Sequence, residues 1–224
     1  MLRVNVVTIF PDYFAGPLAH SILGRAREAR LVEYRVVDLR DHTHDKHRSV
    51  DDTPYGGGAG MVMKPEPFFE AVEALAAQPP VVLLSARGRP MSQADAARFA
   101  AGGEITLLCG HYKDVDQRVA DHLATEEVSV GGFVLTGGEP AALCVIDATV
   151  RLLPGAMNDA ESARTDSFFD GAGISAPSYT RPPVYRGHEV PEVLISGDHK
   201  RIAQWRAAEA AKRSANREPP SDDR

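Results

Sequence analysis

Residues 129–140 read Ser129-Val-Gly-Gly-Phe-Val-Leu-Thr-Gly-Gly-Glu-Pro140. A strand-like run, Glu127-Val-Ser-Val130, leads into them, and a helix-like run from Glu139 to Leu153 follows. The glycine pairs Gly131-Gly132 and Gly137-Gly138 flank the apolar residues Phe133, Val134 and Leu135. Glycine lacks a Cβ, so it takes positive φ freely and lets a second chain or a ligand approach the backbone closely. Strand, glycine-rich loop and helix in that order mark the carboxyl end of a strand, where open α/β sheets bind ligands. Two readings stand at this point. One is a loop that holds a small molecule against main-chain groups; the other is a glycine-rich turn with no ligand.

Outward from that loop the alternation of strand and helix recurs. Short, β-branched apolar runs at Val4–Phe10, Tyr34–Leu39, Val81–Ser85 and Ile105–Cys109 predict strands. Helices are predicted over Leu18–Leu31, with Ile22, Ala26 and Ala29 on one side, and over Phe68–Ala77, Ala94–Ala101 and Val115–Leu123. Ser92 is placed to cap the third of these. A long polar loop spans Arg40 to Gly60. The pattern implies an α/β fold, a mostly parallel sheet with helices on both faces. It breaks after Pro154-Gly155, which divides the chain into a ligand-binding domain, 1–157, an interdomain linker or lid, 158–172, and a small helical domain, 173–224. In the last, Tyr179-Thr-Arg-Pro-Pro-Val-Tyr-Arg186 is extended, because residues before proline avoid the helical region. Asp198 caps a final helix with Ile202 and Trp205 inward and Arg206, Arg213 and Arg217 along one side. The tail from Glu218 is expected to be disordered.

The bulk numbers narrow the class. With 43% hydrophobic residues the chain can bury a substantial core. No apolar run reaches the length of a membrane span, and the N-terminus lacks the features of a signal peptide. Cys109 and Cys144 each lie in an apolar run and are expected to be buried free thiols, which fits a reducing cytoplasm. The net charge of −6 argues against a nucleic-acid binder that uses its whole surface. From Gly173 onward, however, nine Lys/Arg stand against seven Asp/Glu, so a local basic surface remains open.

Four groups could carry chemistry. Tyr55-Gly-Gly-Gly-Ala-Gly-Met61, with Lys64 after it, invites a phosphate-loop reading, but Pro65 replaces the hydroxyl residue that motif needs. A backbone-built pocket or a flexible loop remains. His42-Thr-His44-Asp-Lys-His47 has ligand-type residues, but its neighbours Lys46 and Arg48 favour a polar loop touching RNA phosphate, or a solvated turn, over zinc. Cys109-Gly-His-Tyr112 follows a strand; Gly110 would let a ligand lie on the backbone and Tyr112 could stack, or the segment is an ordinary turn. Arg151 suits a helix C-terminus and Asp166 a solvated loop, unless both serve a site.

Taken together and in order, these motifs resemble the bacterial tRNA (guanine-37-N1)-methyltransferases of the trefoil-knot (SPOUT) superfamily. The carriers include Thr8-Ile-Phe-Pro11, Thr43-His-Asp-Lys-His-Arg48, Val50 to Met61, Cys109-Gly-His-Tyr112, Asp116-Gln-Arg-Val119 and Ser129 to Pro140. Further carriers are Arg151-Leu-Leu-Pro-Gly155, Asp166-Ser-Phe168, Pro177-Ser-Tyr-Thr-Arg-Pro182 and Val190 to His199. The resemblance implies a knotted α/β domain rather than a dinucleotide-binding one, and no G-x-G-x-x-G follows the first strand. It implies a cytoplasmic homodimer, without membrane attachment, that shares its active site between protomers. The loops after Val81–Ser85, after Cys109 and at Val130–Leu135 would form the knot.

The resemblance also implies the chemistry. S-adenosylmethionine would lie against Ser85, Gly110, Tyr112, Val130, Gly131, Gly132, Phe133, Val134, Leu135, Gly137 and Gly138. Asp166 would take the proton from N1 of the target guanine and Arg151 would offset charge growing at O6. A carboxylate is a weak base, so it would act on closure of the lid or in concert with methyl transfer. The anticodon stem-loop of tRNA, with its guanine flipped out, would meet the loop at Tyr55, Gly56, Gly57 and Gly58 and the C-terminal domain; Arg206, Arg213 and Arg217 are candidates for phosphate contacts there, a solvated helix face being the alternative. Three departures stand out. His111 and Lys113 flank the tyrosine where many relatives have Arg and Glu, Gly131-Gly132-Phe133 replaces Gly-Asp-Tyr, and the C-terminal domain is short. The first two put a carboxylate-assisted Mg2+ in doubt. Methylation of another RNA position and non-catalytic tRNA binding are the alternatives.

Overall fold

The structure, a computed structural model, describes residues 1–157, 165–169 and 173–216. Most of the predicted linker, Arg217 and the tail from Glu218 lie outside the described residues. The chain forms two compact units, Met1–Asn158 and Asp159–Arg224.

In chain order the first unit contains β1 (Leu2–Thr8), α1 (Ser21–Glu28), β2 (Val32–Asp38), β3 (Asp51–Asp52), β4 (Val62–Met63), α2 (Pro65–Ala74) and β5 (Val81–Pro90). There follow α3 (Gln93–Ala101), β6 (Glu104–Cys109), β7 (Asp114–Val115), α4 (Gln117–His122), β8 (Glu126–Ser129) and α5 (Glu139–Val150). Five strands make one sheet in the order β2-β1-β6-β5-β8, and every pairing in it is parallel. A smaller sheet joins β3, β4 and β7. Side chains alternate across a strand, so each strand feeds two cores. Val4, Val6, Val82 and Leu107 pack with Ala26 of α1, Phe99 of α3 and Ala142 of α5. Val7, Leu83 and Leu108 pack with Phe68 and Ala71 of α2 and Val119 of α4. The apolar runs are nearly continuous because both faces of a parallel sheet are covered.

Several predicted elements shift for local reasons. The first helix is shorter than expected: a 3₁₀ turn at Pro17–Ala19 precedes it, and Ser21 has a φ of 54°. Its buried residues are Leu23, Gly24 and Ala26, while Ala29 is exposed. α2 begins at Pro65, since proline suits a first helical turn whose N–H groups have no helical partner. α4 begins after Asp116, whose carboxylate accepts from Arg118 N, and Val115 belongs to β7 instead. Ser92 caps α3 as predicted and completes a capping box with Asp95. The polar 40–60 loop contains a 3₁₀ turn at Leu39–His42 and the two-residue β3. Cys109 is buried, but Cys144 is exposed on α5, contrary to its apolar sequence surroundings.

The largest departure is β5. Val81 to Leu84 was the predicted strand core, yet pairing with β8 resumes at Arg89 and Pro90 after an interruption. Leu84 and Arg89 both register with Val128, so residues 85–88 bulge out between them. Gly88 lies against the backbone of Glu127 and Val128, where a Cβ has no room. The Arg89 guanidinium then bonds both Asp95 oxygens, at 2.8 and 2.7 Å, and Glu126.

The second unit contains β9 (Val184–Tyr185), β10 (His188–Glu189), α6 (Glu192–Ile195) and α7 (His199–Ala215). Arg186 and Gly187, with φ of 52° and 81°, form the two-residue turn of the β9–β10 hairpin. Asp198 caps α7 through Lys200 N and Arg201 N, both at 3.1 Å. Ile202 and Trp205 are half-buried rather than core residues, and the Tyr179 ring lies 6.3 Å from that of Trp205. No helix among the described residues is long and apolar enough to cross a membrane.

Candidate functional site

The carboxyl ends of β5, β6 and β8 open into a cavity of about 250 Å3. Of the residues expected to hold a small molecule, Ser85, Gly110, Tyr112, Val130, Phe133, Val134, Leu135, Gly137 and Gly138 line it. Gly131 and Gly132 stand outside its wall. Gly131 instead shapes the loop. Its N–H donates to Ser129 Oγ at 3.2 Å, while its carbonyl accepts from Ser129 Oγ at 2.9 Å and from Phe133 N at 2.9 Å.

Two glycine-bearing loops meet at this cavity. Gly138 N–H donates to Gly110 O at 2.8 Å, and His111 bridges Gly137 in antiparallel fashion. A Cβ on Gly138 would stand 2.7 Å from Cys109 Cα and 3.0 Å from Gly110 N. One on Gly110 would stand 2.8 Å from Val115 Cγ2. Glycine is therefore required here by close approach of backbones. Gly137 in turn sits between the His111 ring and the Glu139 carboxylate.

Beneath the loops lies a buried polar group. Glu139, at the start of α5, is 3% exposed. Its Oε1 accepts from Thr8 Oγ1 at 2.7 Å, and its Oε2 lies 3.9 Å from His111 Nδ1. The His111 ring meets Phe10 and Tyr112 edge-on, at 5.1 and 5.3 Å. Burial, and then the neighbouring Glu139 charge, push the Cys109 thiol well above its usual range. That thiol is inert at neutral pH, so the floor of the site offers no nucleophile. At the mouth, Arg87 from the β5 bulge bonds Asp114 at 3.2 Å and lies 3.7 Å from Glu127.

Sequence reasoning missed Ala86, Arg87, His111, Lys113 and Thr136 as wall residues. A usable signal existed for His111 and Lys113, which flank Tyr112. For the bulge residues the resemblance pointed to the loop after Ser85 without naming its residues, and their polar sequence alone reads as an ordinary loop.

Arg151 follows α5 as its cap, with its N–H on Asp147 O at 3.2 Å. Asp166 belongs to the second unit and is exposed. It lines a separate cavity of about 1050 Å3 with Tyr179, Arg181, Ile202 and Arg206. Arg206 thus shares a cavity with Asp166, whereas Arg213 is exposed on α7 and away from that cavity. In the Tyr55–Gly60 loop, Gly56, Gly57, Gly58 and Gly60 have φ of 82°, 77°, 112° and 90°, and Tyr55 is fully exposed. His44 Nε2 contacts both oxygens of Glu70 at 2.9 Å. No group of three or more metal-ligating side chains forms among the described residues.

Known proteins match this chain over almost its whole length. The family model described as tRNA (Guanine-1)-methyltransferase TrmD matches residues 2–221. A tRNA (guanine-N(1)-)-methyltransferase of Anaeromyxobacter sp. (strain K) is 53% identical over 97% of this chain and 90% of the relative. Its counterpart in Dehalococcoides mccartyi (strain 195) is 49% identical over 97% of this chain and 89% of the relative. That of Microcystis aeruginosa is 48% identical over 97% and 95%. A sheet of this topology, a cavity at its strand ends and a family match spanning both units lead to one assignment: the chain belongs to the tRNA (guanine-1)-methyltransferase family.

Proposed function

We propose that this protein transfers a methyl group from S-adenosylmethionine to N1 of guanosine-37 in tRNA. The observation that carries the reading is the cavity at the β5 bulge and the ends of β6 and β8, lined by glycines and apolar side chains, in a chain of this family. Its walls suit an adenosyl group: apolar Val130, Phe133, Val134 and Leu135, with glycines that leave main-chain groups accessible. Once bound, S-adenosylmethionine supplies an electrophilic methyl on a sulfonium. Asp166 accepts the proton of guanine N1, which frees the lone pair for attack. The guanidinium of Arg151 offsets negative charge at O6.

The same reading includes a trefoil knot formed by the loops after Val81–Ser85, after Cys109 and at Val130–Leu135. It is supported by two close backbone approaches, Gly88 on β8 and Gly138 on Cys109. A cytoplasmic homodimer belongs to the reading as well, as does division of labour between a donor-binding domain over 1–157, a lid over 158–172 and a tRNA-binding domain over 173–224. Tyr55 to Gly58, Arg206 and Arg213 are assigned to the anticodon stem-loop. Mg2+ does not fit the residues at the cavity mouth. Asp114 is held by Arg87, and Lys113 and Gly132 offer no carboxylate. No step is assigned to a metal.

The test is single-turnover methylation of an unmodified tRNA, with the methylated base mapped. Asp166→Ala is expected to slow the step by about a thousand-fold, the middle of the range for a general base, with S-adenosylmethionine binding unchanged. Methylation at another base would overturn the substrate assignment, and an active Asp166→Ala would remove Asp166 as the base.

A further inference from the structure

We propose that Lys113 is the anion contact at the seam between the cavity and the Tyr55–Gly60 loop, and that its ammonium meets a phosphate of the RNA substrate. The inference rests on the reading of this chain as a tRNA methyltransferase.

Lys113 belongs to both regions. It lines the cavity, and its N–H donates to Met61 O at 3.1 Å. Its stem runs beneath the loop: a Cβ built on Gly60 would stand 3.1 Å from Lys113 Cβ and 3.4 Å from Cδ. The ammonium lies at Gly58, where a Cβ would stand 3.9 Å from Nζ. Tyr112, just before it, has a φ of 61°, a conformation that non-glycine residues seldom adopt.

Two neighbouring ion pairs are already closed. Asp114 is held by Arg87 and Arg118 by Asp116 at 2.8 Å, while the Glu139 carboxylate accepts from the Thr8 hydroxyl. Lys64 Nζ donates to Ser49 O at 3.1 Å. No carboxylate among the described residues lies within ion-pair distance of Lys113, and its side chain is exposed. Directly over it, Gly56 to Gly58 form a run of three left-handed glycines. Gly57 N–H closes a turn on Pro54 O at 3.2 Å, while the N–H groups of Gly56 and Gly58 make no bond to described residues. Free backbone amides in left-handed turns are donors that anions use, and here they flank the bonded Gly57 N–H. A stem already packed under Gly60 has less freedom to lose on binding than an open lysine, and an ammonium point charge suits phosphate. A Cβ built on Gly56 or Gly57 would meet nothing within 4 Å, so the outer side of the turn has room for a polymer backbone.

The experiment compares the full-length protein with Lys113→Ala and Lys113→Arg, after thermal melts establish that all three fold. Binding of an unmodified tRNA transcript is measured over a range of KCl, and S-adenosylmethionine binding by calorimetry. Lys113→Ala is expected to weaken tRNA binding by about fivefold and to lower the slope of log K against log salt by about 0.7–0.9, the signature of one lost phosphate contact. Lys113→Arg should restore the slope, and in Lys113→Ala tRNA affinity should fall by more than donor affinity. A fall in donor affinity with an unchanged tRNA slope would assign the ammonium to the donor carboxylate and overturn the proposal. So would no change in either quantity. Failure of the underlying reading shows separately, as a wild-type protein that methylates no tRNA.

Discussion

A Cβ on Gly138 would stand 2.7 Å from Cys109 Cα, whereas one on Gly56 or Gly57 would meet nothing within 4 Å. In sequence the two glycine-rich loops look alike. In the 131–138 loop none of the glycines takes the left-handed region, and Gly137 and Gly138 are glycines because other backbone and side chains press on them. In the 55–60 loop the space is open at Gly56 and Gly57 and narrows only at Gly60, over the Lys113 stem, and all four of Gly56, Gly57, Gly58 and Gly60 have positive φ. Crowding and conformation thus select the same residue for different reasons. A crowded glycine belongs to a wall whose shape is fixed before a ligand arrives. An uncrowded, left-handed glycine belongs to a loop whose partner lies outside this chain. On the proposed reading, the two loops serve the two substrates of a methyl transfer, the first the donor and the second the RNA.

The sharpest way to break this comparison is Gly138→Ala. The added methyl collides with main chain at Cys109 and Gly110, which cannot rotate away as a side chain can. Overpacking of this kind destabilises by about 3 kcal/mol, and the Gly138 N–H to Gly110 O bond that joins the loops should be lost with it. Urea unfolding measures the first effect, and calorimetry with S-adenosylmethionine should show binding weakened at least tenfold. A stable Gly138→Ala protein with normal donor affinity would show that the crowding is relieved by easy backbone movement, and the comparison would fail.

A second test acts on what pins the donor side. Asp95 accepts from Arg89, Arg98 and Ser92, and so ties the returning end of β5 to α3. The Arg89 guanidinium first, and then Ser92 and Arg98, hold the Asp95 carboxyl well below the ordinary range against the opposing effect of burial. A carboxyl depressed in the folded state stabilises above its unfolded pKa of about 4, and that contribution disappears as pH falls through the lower folded value. Stability should therefore decline below about pH 4. Asp95→Asn should lose about 2 kcal/mol at pH 7, in line with loss of charged hydrogen bonds, and should show a flatter acid decline. Parallel acid profiles for wild type and variant would remove Asp95 as the source.

The β5 bulge also marks the limit of what sequence could reveal. The parallel sheet was legible, because β-branched apolar runs alternate with helical ones and each strand is buried on both faces. The Ser92 and Asp198 caps were legible, because capping is local chemistry. Return of Arg89-Pro90 to β8 was not, since Ser85-Ala-Arg-Gly-Arg-Pro90 is polar and its pairing depends on a partner some forty positions away. The burial of Glu139 was equally hidden: a carboxylate early in a helix ordinarily faces water, and only Thr8 and His111, distant in sequence, give it a reason to be inside. Exposure of Cys144 turned on the rotation of α5, and a uniformly apolar helix does not reveal its rotation. Most of the predicted donor residues reached one wall because they end strands. Asp166 and Arg206 reached a common cavity for a reason that spacing alone did not contain.

On the RNA side, Gly57→Ala should produce a smaller and differently distributed effect. No atom obstructs the methyl, but a φ of 77° places an L-residue in the left-handed region. The strain is about 1 kcal/mol for one residue, concentrated in the loop. Donor affinity should not change, and the apparent KM for tRNA should rise by a few-fold. If donor binding falls instead, the two loops are not separable in the way their glycines suggest.

Gly132→Ala should have the smallest effect, and it tests the crowded loop at its one open position. Nothing lies within 4 Å of a Cβ there, its φ is outside the left-handed region, and it does not line the cavity. With neither crowding nor conformation to require glycine, alanine reduces the freedom of the unfolded chain at no cost in the folded one. Substitutions of that kind stabilise by about 0.5 kcal/mol. A thermal melt should show a slight rise, with S-adenosylmethionine affinity and tRNA methylation unchanged. Weakened donor binding would mean that Gly132 meets the donor directly, as its resemblance-based assignment had it. Weakened tRNA methylation with intact donor binding would place an RNA contact in the loop that the comparison gives wholly to the donor.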